Sequence, residues 1–536
     1  MLFNSKEFLV YFLPIVLAVF FAVGGSSRYR LAAVWLVAAS LVFYGWWYPP
    51  YVPLLMASMV ANFLIGRRLA RAPSKYVLGA GVAANILLLG VYKYSGFAVT
   101  TSNQLFGLDW VVPNIALPLA ISFFTFQQIA FLADAHDGNA EEHSFVDYSL
   151  FITFFPHLIA GPITHHREML PQFRNSETFR PRLDNVAIGA TLFVLGLFKK
   201  VAIADPLGEV ARPIFAEATT PALSLIDAWG GALAYALQIY FDFSGYTDMA
   251  IGLGLMFGIR LPPNFDSPYK ARNIIEFWSR FHMTLTRFLT AYVYNPIVLR
   301  VTRARLRAGL PLGGRSRTTP GAFVMMIALP TILTMFISGV WHGAGWQFII
   351  FGLLHGLYIT INRAWRTIKG AVGWPVESKS KLRNASATIL TFLCVVVALV
   401  FFRSSDVPSA IALLSVMMGS HGVGFPPGVT ELPGLGALSQ VLGIPVIESK
   451  YLHLKQIFWI VVVLAVVWGT PNTQQWMRHY RTALDHRPRM DWVARLIPRA
   501  GWQPTSVWGL MIGCLATYAL MRTFSQAPTE FLYFQF

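Results

Sequence analysis

Two histidines interrupt an apolar stretch, in Trp341-His342-Gly343 and in Leu354-His355-Gly356, and the run from Ala344 to Leu354 between them is almost entirely nonpolar. Titratable side chains are costly in such surroundings, and those found inside membranes line cavities or do chemistry. A third histidine, His282, lies upstream in Glu276-Phe277-Trp278-Ser279-Arg280-Phe281-His282. Imidazole has an ordinary pKa of about 6.5 and accepts a proton readily near neutral pH. That capacity is needed wherever an alcohol must lose its proton as it attacks a carbonyl. His342 is therefore a candidate general base, with Trp341 and Trp346 as walls against lipid and Gly343 leaving room for a substrate. The plainer alternative is a buried histidine that bridges helices by hydrogen bonds.

His342 and His355 are 13 residues apart. On an ideal helix that is about 1300°, roughly 140° out of register, so one uninterrupted helix does not present them as a pair. Pro330 and the Gly343-Ala344-Gly345 run mark places where the helix can break. Glu276 and Arg280 stand at i,i+4 and are expected to pair. The plainer reading there is an interfacial helix with a snorkelling arginine. Spacing leaves open whether His282 points into the cavity of His342. Asp242 and Asp248 fall on different helical faces and do not read as a paired-carboxylate site. Asp242, among Phe and Tyr, needs a partner if ionised, with Arg280 or a histidine as the candidates. Its expected role is structural or histidine-orienting. No phosphate-binding glycine loop and no Gly-x-Ser-x-Gly elbow occurs. The histidines sit in separate segments, so no metal cluster is expected. Cys394 and Cys514 lie in apolar runs, which argues against a disulfide framework, a zinc cluster or a thiolate nucleophile.

The elements that must position these residues are membrane helices. The chain has 536 residues, 55% hydrophobic and 12% charged, where soluble proteins carry roughly 25% charged residues. Apolar runs long enough to span give an all-α polytopic membrane protein of about 11–13 transmembrane helices. Phe8–Val23 reads as the first span and not as a cleavable signal. Val146–Ala160 and Ala228–Tyr240 are also counted as spans. Leu117–Ala133 and Ile274–Leu299 read as re-entrant or interfacial helices. The net charge of +17 does not indicate nucleic acid. Basic groups at Arg67, Arg68, Arg71 and Lys75, at Lys199-Lys200, from Arg300 to Arg317 and from Arg478 to Arg499 follow the positive-inside pattern and are expected to face lipid headgroups. The other reading of these bases is an anion site, for coenzyme A phosphates for example. No repeat of 20–50 residues is visible, which gives no support to a repeat-built transporter. Expected divisions are a core over 1–403, a Gly/Pro-rich loop with a short helix over 404–455, and terminal membrane helices with a basic loop over 456–536.

Four islands mix Pro or Gly with aromatic and polar groups at membrane depth: Leu117–Gln128, Phe154–Ile163, Tyr240–Ala250 and Phe277–His282. Irregular backbone at depth survives only where protein or a water-filled cavity satisfies it, so the islands point to an internal cavity.

In their order, Tyr240-Phe241-Asp242-Phe243-Ser244-Gly245-Tyr246, Phe277-Trp278-Ser279-Arg280-Phe281-His282 and Trp341-His342-Gly343 resemble the membrane-bound O-acyltransferase family, in its bacterial branch. The resemblance runs from Met1-Leu2-Phe3-Asn4-Ser5 to about Arg403. It implies that His342 is the catalytic histidine and His282 the second functional position, both reaching a central tunnel. It assigns supporting places to Asp242, Arg280, His355 and Trp341. It also implies no tightly bound cofactor, an acyl donor such as acetyl-CoA or another thioester as substrate, and a polysaccharide acceptor. An extracytoplasmic acyltransferase-like or esterase-like partner and the bacterial inner membrane complete the expectation. Two departures bear on the donor-side loop: Arg280-Phe281-His282 stands for the usual Arg-Trp-His, and Tyr294-Asn295-Pro296-Ile297 replaces a Gly-Gly-Asn-Arg loop, although Gly313-Gly314-Arg315 remains. The tail Glu530–Phe536 resembles a protease-tag remnant but departs from one at Phe531 and Phe536, and is read as native. The competing classes are a transporter or channel, a non-catalytic scaffold for a secreted acyltransferase, and a lipid-linked glycosyltransferase. The last of these lacks a clear acidic pair.

Overall fold

The structure is a computed structural model. It describes all residues except 25–28, 140–142, 311–318, 377, 379, 428, 430–445, 491–500, 526–528 and 533–536. The Gly313-Gly314-Arg315 run, Arg317, Arg495, Arg499 and the last four residues of the tail lie outside the described residues.

One helix organises the chain. Leu225–Met256 begins at a capping box, in which Ser224 Oγ accepts from Asp227 N at 3.1 Å and Asp227 Oδ2 accepts from Ser224 N at 3.2 Å. It is buried along nearly its whole length. Its first half lies in one hydrophobic cluster, with Phe392–Phe402 and Phe265–Trp278. Its second half lies in another, with Phe8, Phe43, Phe155 and the N-terminal helices. Two glycine pairs join it to Leu183–Phe198. A Cβ on Gly196 would sit 2.4 Å from the Gly245 carbonyl oxygen, and one on Gly252 would sit 2.5 Å from that of Gly189. Small residues of this kind let membrane helices approach backbone to backbone. A Gly252→Val variant is expected to force these helices apart and to cost about 1–3 kcal/mol of stability. Thermal unfolding in detergent reads that loss.

Among the described residues, eight helices are long and apolar enough to cross a membrane, and three shorter apolar helices accompany them: Tyr29–Gly45, Val407–Met417 and Leu454–Gly469. The protein is therefore an all-α, multi-pass membrane protein. Its only strands among the described residues are Val423–Phe425 and Val446–Glu448, paired in parallel. Val146–Ala160, expected as one span, breaks at Phe154 into Phe145–Thr153 and Phe155–Leu158. Ala228–Tyr240 belongs to the buried central helix and has little surface for lipid. The two pieces read as re-entrant or interfacial are short helices: Ile121–His136, almost wholly buried, and the broken series Ile274–Trp278, Met283–Leu289 and Asn295–Arg307.

Lys199-Lys200 does not follow the expectation of a headgroup-facing loop pair. The two lysines lie inside the helical span Leu183–Ala216. Lys199 Nζ is 2.6 Å from Asp248 Oδ2, and Lys200 Nζ is 2.6 Å from Asp242 Oδ1 and 2.9 Å from Asp205 Oδ1. Buried carboxylates need such partners. The tail closes the same network: Lys200 donates to Glu530 O at 3.1 Å, Leu532 N donates to Asp242 Oδ2 at 3.0 Å, and the Phe531 ring lies 4.9 Å from Lys200. Phe531 is 1% exposed, so this part of the tail belongs to the core.

Candidate active site

His342 is the last residue of the helical span Pro320–His342. Extended backbone at Gly343 and Gly345 ends that helix, and Trp346–Val372 starts immediately afterwards. The two helices form a tight hairpin, because a Cβ on Gly339 would lie 2.4 Å from the Phe348 carbonyl oxygen. A helix end leaves carbonyl oxygens without intrahelical partners. Here Tyr94 Oη donates to Val340 O at 2.6 Å, while Lys93 Nζ donates to Trp341 O at 2.6 Å and to His342 O at 3.3 Å. A cation is favoured at this end of the helix dipole. Lys93 also donates to Ser122 Oγ at 3.3 Å, which ties the Leu117–Gln128 island to the same point. Lys93 and Tyr94 sit in a wide helical turn, Gly90–Tyr94. Sequence reasoning passed over both, although a lysine in the middle of the apolar span Lys75–Phe106 is itself a signal.

Gly343 was expected to leave room for a substrate. Its missing side chain is instead filled by the Phe348 ring, which would lie 2.2 Å from a Cβ there. Trp341 is buried, stacked on Phe126 at 5.3 Å and edge-on to Phe123 at 5.5 Å. Trp346 is 49% exposed and meets Phe97, on the outside of the hairpin.

His282 stands at a break between the short helices Ile274–Trp278 and Met283–Leu289. Its φ of +47° is a left-handed conformation that is strained for a residue with a side chain. The surroundings impose it. Phe281 bridges to Phe265, Met283 N donates to Asn264 O at 3.0 Å, and Asp266 N donates to Arg280 O at 2.9 Å. Asn264 Oδ1 accepts from Thr284 N at 3.2 Å and from Thr284 Oγ1 at 2.8 Å, and lies 3.2 Å from His282 Nδ1. Thr284 N can only donate, so the facing amide atom is the oxygen. His282 Nδ1 then carries the proton and Nε2 the lone pair. Nothing in the sequence marked Asn264. Asn264→Leu is expected to free the tautomer and orientation of His282 and to lower turnover about 10–100-fold, the range for lost orienting partners. The conservative Asn264→Asp should retain more. Comparing kcat with KM for the two variants separates lost positioning from lost binding.

The three histidines meet in one buried aromatic cluster. Ring centroids are 6.0 Å apart for His282 and Trp341, 4.9 Å for Trp341 and His342, 5.9 Å for His342 and Phe351, and 4.6 Å for Phe351 and His355. Phe402 lies 5.1 Å from His342, and Phe243 lies 4.8 Å from His282. His282, Lys93 and His355 are the chargeable neighbours of His342. His355 Nδ1 accepts from Trp278 Nε1 at 3.2 Å, which fixes its ring against the motif that carries His282. His342 and His355 are out of register only along one continuous helix. The break at 343–345 folds that helix back and brings His355 beside the site.

Arg280 pairs with Glu276 at 2.6 Å, as the spacing predicts, and its Nη1 donates to Asp266 O at 3.2 Å. It is 8% exposed, so it braces the bend before His282 and does not snorkel to a headgroup. Asp242 binds Lys200 and the Leu532 amide, not Arg280 or a histidine. Its neighbour Phe243 is the residue of that island that touches His282.

A multi-pass membrane protein with buried histidines gathered at a helix break is the class that the fold and site define. Residues 137–310 match the pattern described as MBOAT, membrane-bound O-acyltransferase family. That match includes His282 but ends before His342. The chain is 40% identical over 453 residues to the peptidoglycan O-acetyltransferase of Helicobacter pylori, covering 79% of this chain and 81% of that one. It is 38% identical over 429 residues to the probable alginate O-acetylase AlgI of Azotobacter vinelandii, covering 78% of each. It is 29% identical over 306 residues to the teichoic acid D-alanyltransferase of Bacillus subtilis, covering 56% of this chain and 71% of that one. The chain belongs to the membrane-bound O-acyltransferase family. It is an acyltransferase.

Proposed function

We propose that this protein moves an acyl group, acetyl above all, from a cytoplasmic thioester to a hydroxyl of an envelope polysaccharide across a bacterial inner membrane. The observation that carries the reading is the cluster of His342, His282 and His355, in a chain so similar to a peptidoglycan O-acetyltransferase and an alginate O-acetylase. His342 takes the proton of the acceptor hydroxyl as its oxygen attacks the thioester carbonyl. The carbon–oxygen bond forms and a tetrahedral oxyanion develops. As that intermediate collapses, the carbon–sulfur bond breaks and the imidazolium returns the proton to the leaving thiolate. His282, oriented through Asn264 so that its Nε2 accepts, positions the acceptor hydroxyl beside His342. The aromatic walls keep bulk water from competing for the acyl group. Acetyl-CoA or another acyl thioester serves as donor, with no tightly bound cofactor. The immediate acceptor is the glycan or a hydroxyl on an extracytoplasmic partner that passes the group on.

The protein in sealed liposomes, with labelled acetyl thioester on one face and glycan on the other, tests this reading. Thiol release matched by label on the glycan is the expected result. Donor left intact, with and without a periplasmic partner, contradicts it.

A further inference from the structure

Away from the histidine cluster, a second set of side chains converges. Asp134 lies near the end of Ile121–His136, and His165 and His166 lie at the start of His166–Arg174. One ligand atom from each lies within 4.8 Å of the others. Asp134 Oδ2 is the focus, with His165 Nε2 at 3.3 Å and His166 Nδ1 at 3.5 Å. Donor atoms around a tetrahedral ion with bonds of about 2.0–2.1 Å are separated by about 3.3–3.4 Å, the edge of the tetrahedron. The two carboxylate–imidazole distances match that edge.

The surroundings fit a metal centre in two further ways. Arg167 Nη2 donates to Asp134 Oδ1 at 3.1 Å and so aims the other oxygen at the imidazoles, as outer partners do for metal ligands. His166 is 2% exposed, and neither of its ring nitrogens meets a hydrogen-bond partner in good geometry. A cation between His166 Nδ1 and Asp134 Oδ2 engages these two atoms, and the His166 ring also faces the Asn139 backbone. Tyr292 Oη donates to Asp134 Oδ2 at 2.7 Å and also meets His165 Nε2, which places it for the fourth position.

We propose that Asp134, His165 and His166 bind one divalent transition-metal ion, with Tyr292 or a water as fourth ligand. Two imidazoles and a carboxylate suit Zn2+ and its neighbours better than Mg2+ or Ca2+. The ion is a staple. It joins the helix of the Leu117–Gln128 island to the segment Pro162–His166 and to Tyr292, which lies in the helical run Met283–Tyr294 that begins after His282. Phe288 of that run stacks on Phe126 at 4.4 Å, and Phe126 stacks on Trp341. The ion therefore fixes the helix on which His282 is mounted without touching substrate.

Full-length protein in nanodiscs, stripped with chelator, is titrated with Co2+ and then with Zn2+. About one equivalent of Co2+ should show the visible absorption of a four-coordinate site, and Zn2+ should displace it. Zn2+ alone should raise the unfolding temperature of the wild type. H166Q and D134N should each weaken Zn2+ binding by more than about 10-fold and abolish that thermal shift. Wild-type protein that binds no Zn2+ more tightly than about 10 μM overturns the proposal, whatever the variants do. Folded H166Q or D134N with unchanged affinity overturns it equally.

Discussion

Replacing His342 with alanine is expected to lower acyl transfer by about 10²–10⁴-fold, the contribution of a positioned general base. Fold and assembly should survive. The carbonyl oxygens of the helix end at 340–342 accept from Tyr94 and Lys93, and the substitution leaves those bonds in place. His342→Gln keeps most of the volume and loses the base, and should fall nearly as far. Size-exclusion behaviour and melting temperature of both variants, measured beside turnover, separate lost chemistry from lost structure. A histidine that only bridges helices would show the opposite pattern, with reduced stability and preserved turnover per folded molecule.

The largest expected effect on stability lies away from the histidines. Lys200→Met leaves the Asp242 and Asp205 carboxylates buried without their shared cation. Removing one partner of a buried pair costs about 3–5 kcal/mol. The change also releases Glu530 O and the Phe531 ring, so the tail should detach from the core and become open to protease. Adding Asp242→Asn removes one stranded charge and should recover part of the loss. Residual kcat per folded molecule should stay close to wild type, because Asp242 and Lys200 bind each other and not the site. Thermal unfolding and limited proteolysis check both halves of this prediction.

The contrast between these variants shows what the sequence made legible. A histidine in an apolar run is conspicuous because it is costly there, so His342, His355 and His282 could be found without a structure. Their meeting could not be, because spacing along a chain gives angles only while the helix continues. Gly343 and Gly345 turned a register mismatch into a hairpin contact. Asp242 visibly needs a partner, but Lys200 beside Lys199 resembles a loop base, although it sits in the apolar run Ala187–Ala204. Lys93 could have been found by the rule that singled out the histidines. Asn264 could not, since a polar residue between Pro263 and Phe265 resembles any loop until Thr284 and His282 close on its side chain. The expectation of no metal cluster overlooked the adjacent His165-His166, and it is the fold that brings Asp134 to them. The membrane class followed from composition. The broken helices at Phe154 and His282 did not, because their breaks are enforced by partners distant in the chain.

The central claim is that His342 and His282 act as one site. The direct test is turnover of reconstituted wild type, His342→Ala, His282→Ala and the double variant, each confirmed as folded. Groups that act as a unit are strongly non-additive, so the double variant should fall no more than about 10-fold below His342→Ala alone. Near wild-type turnover in folded His342→Ala, or a double variant whose loss is the full product of the two single losses, would contradict the account.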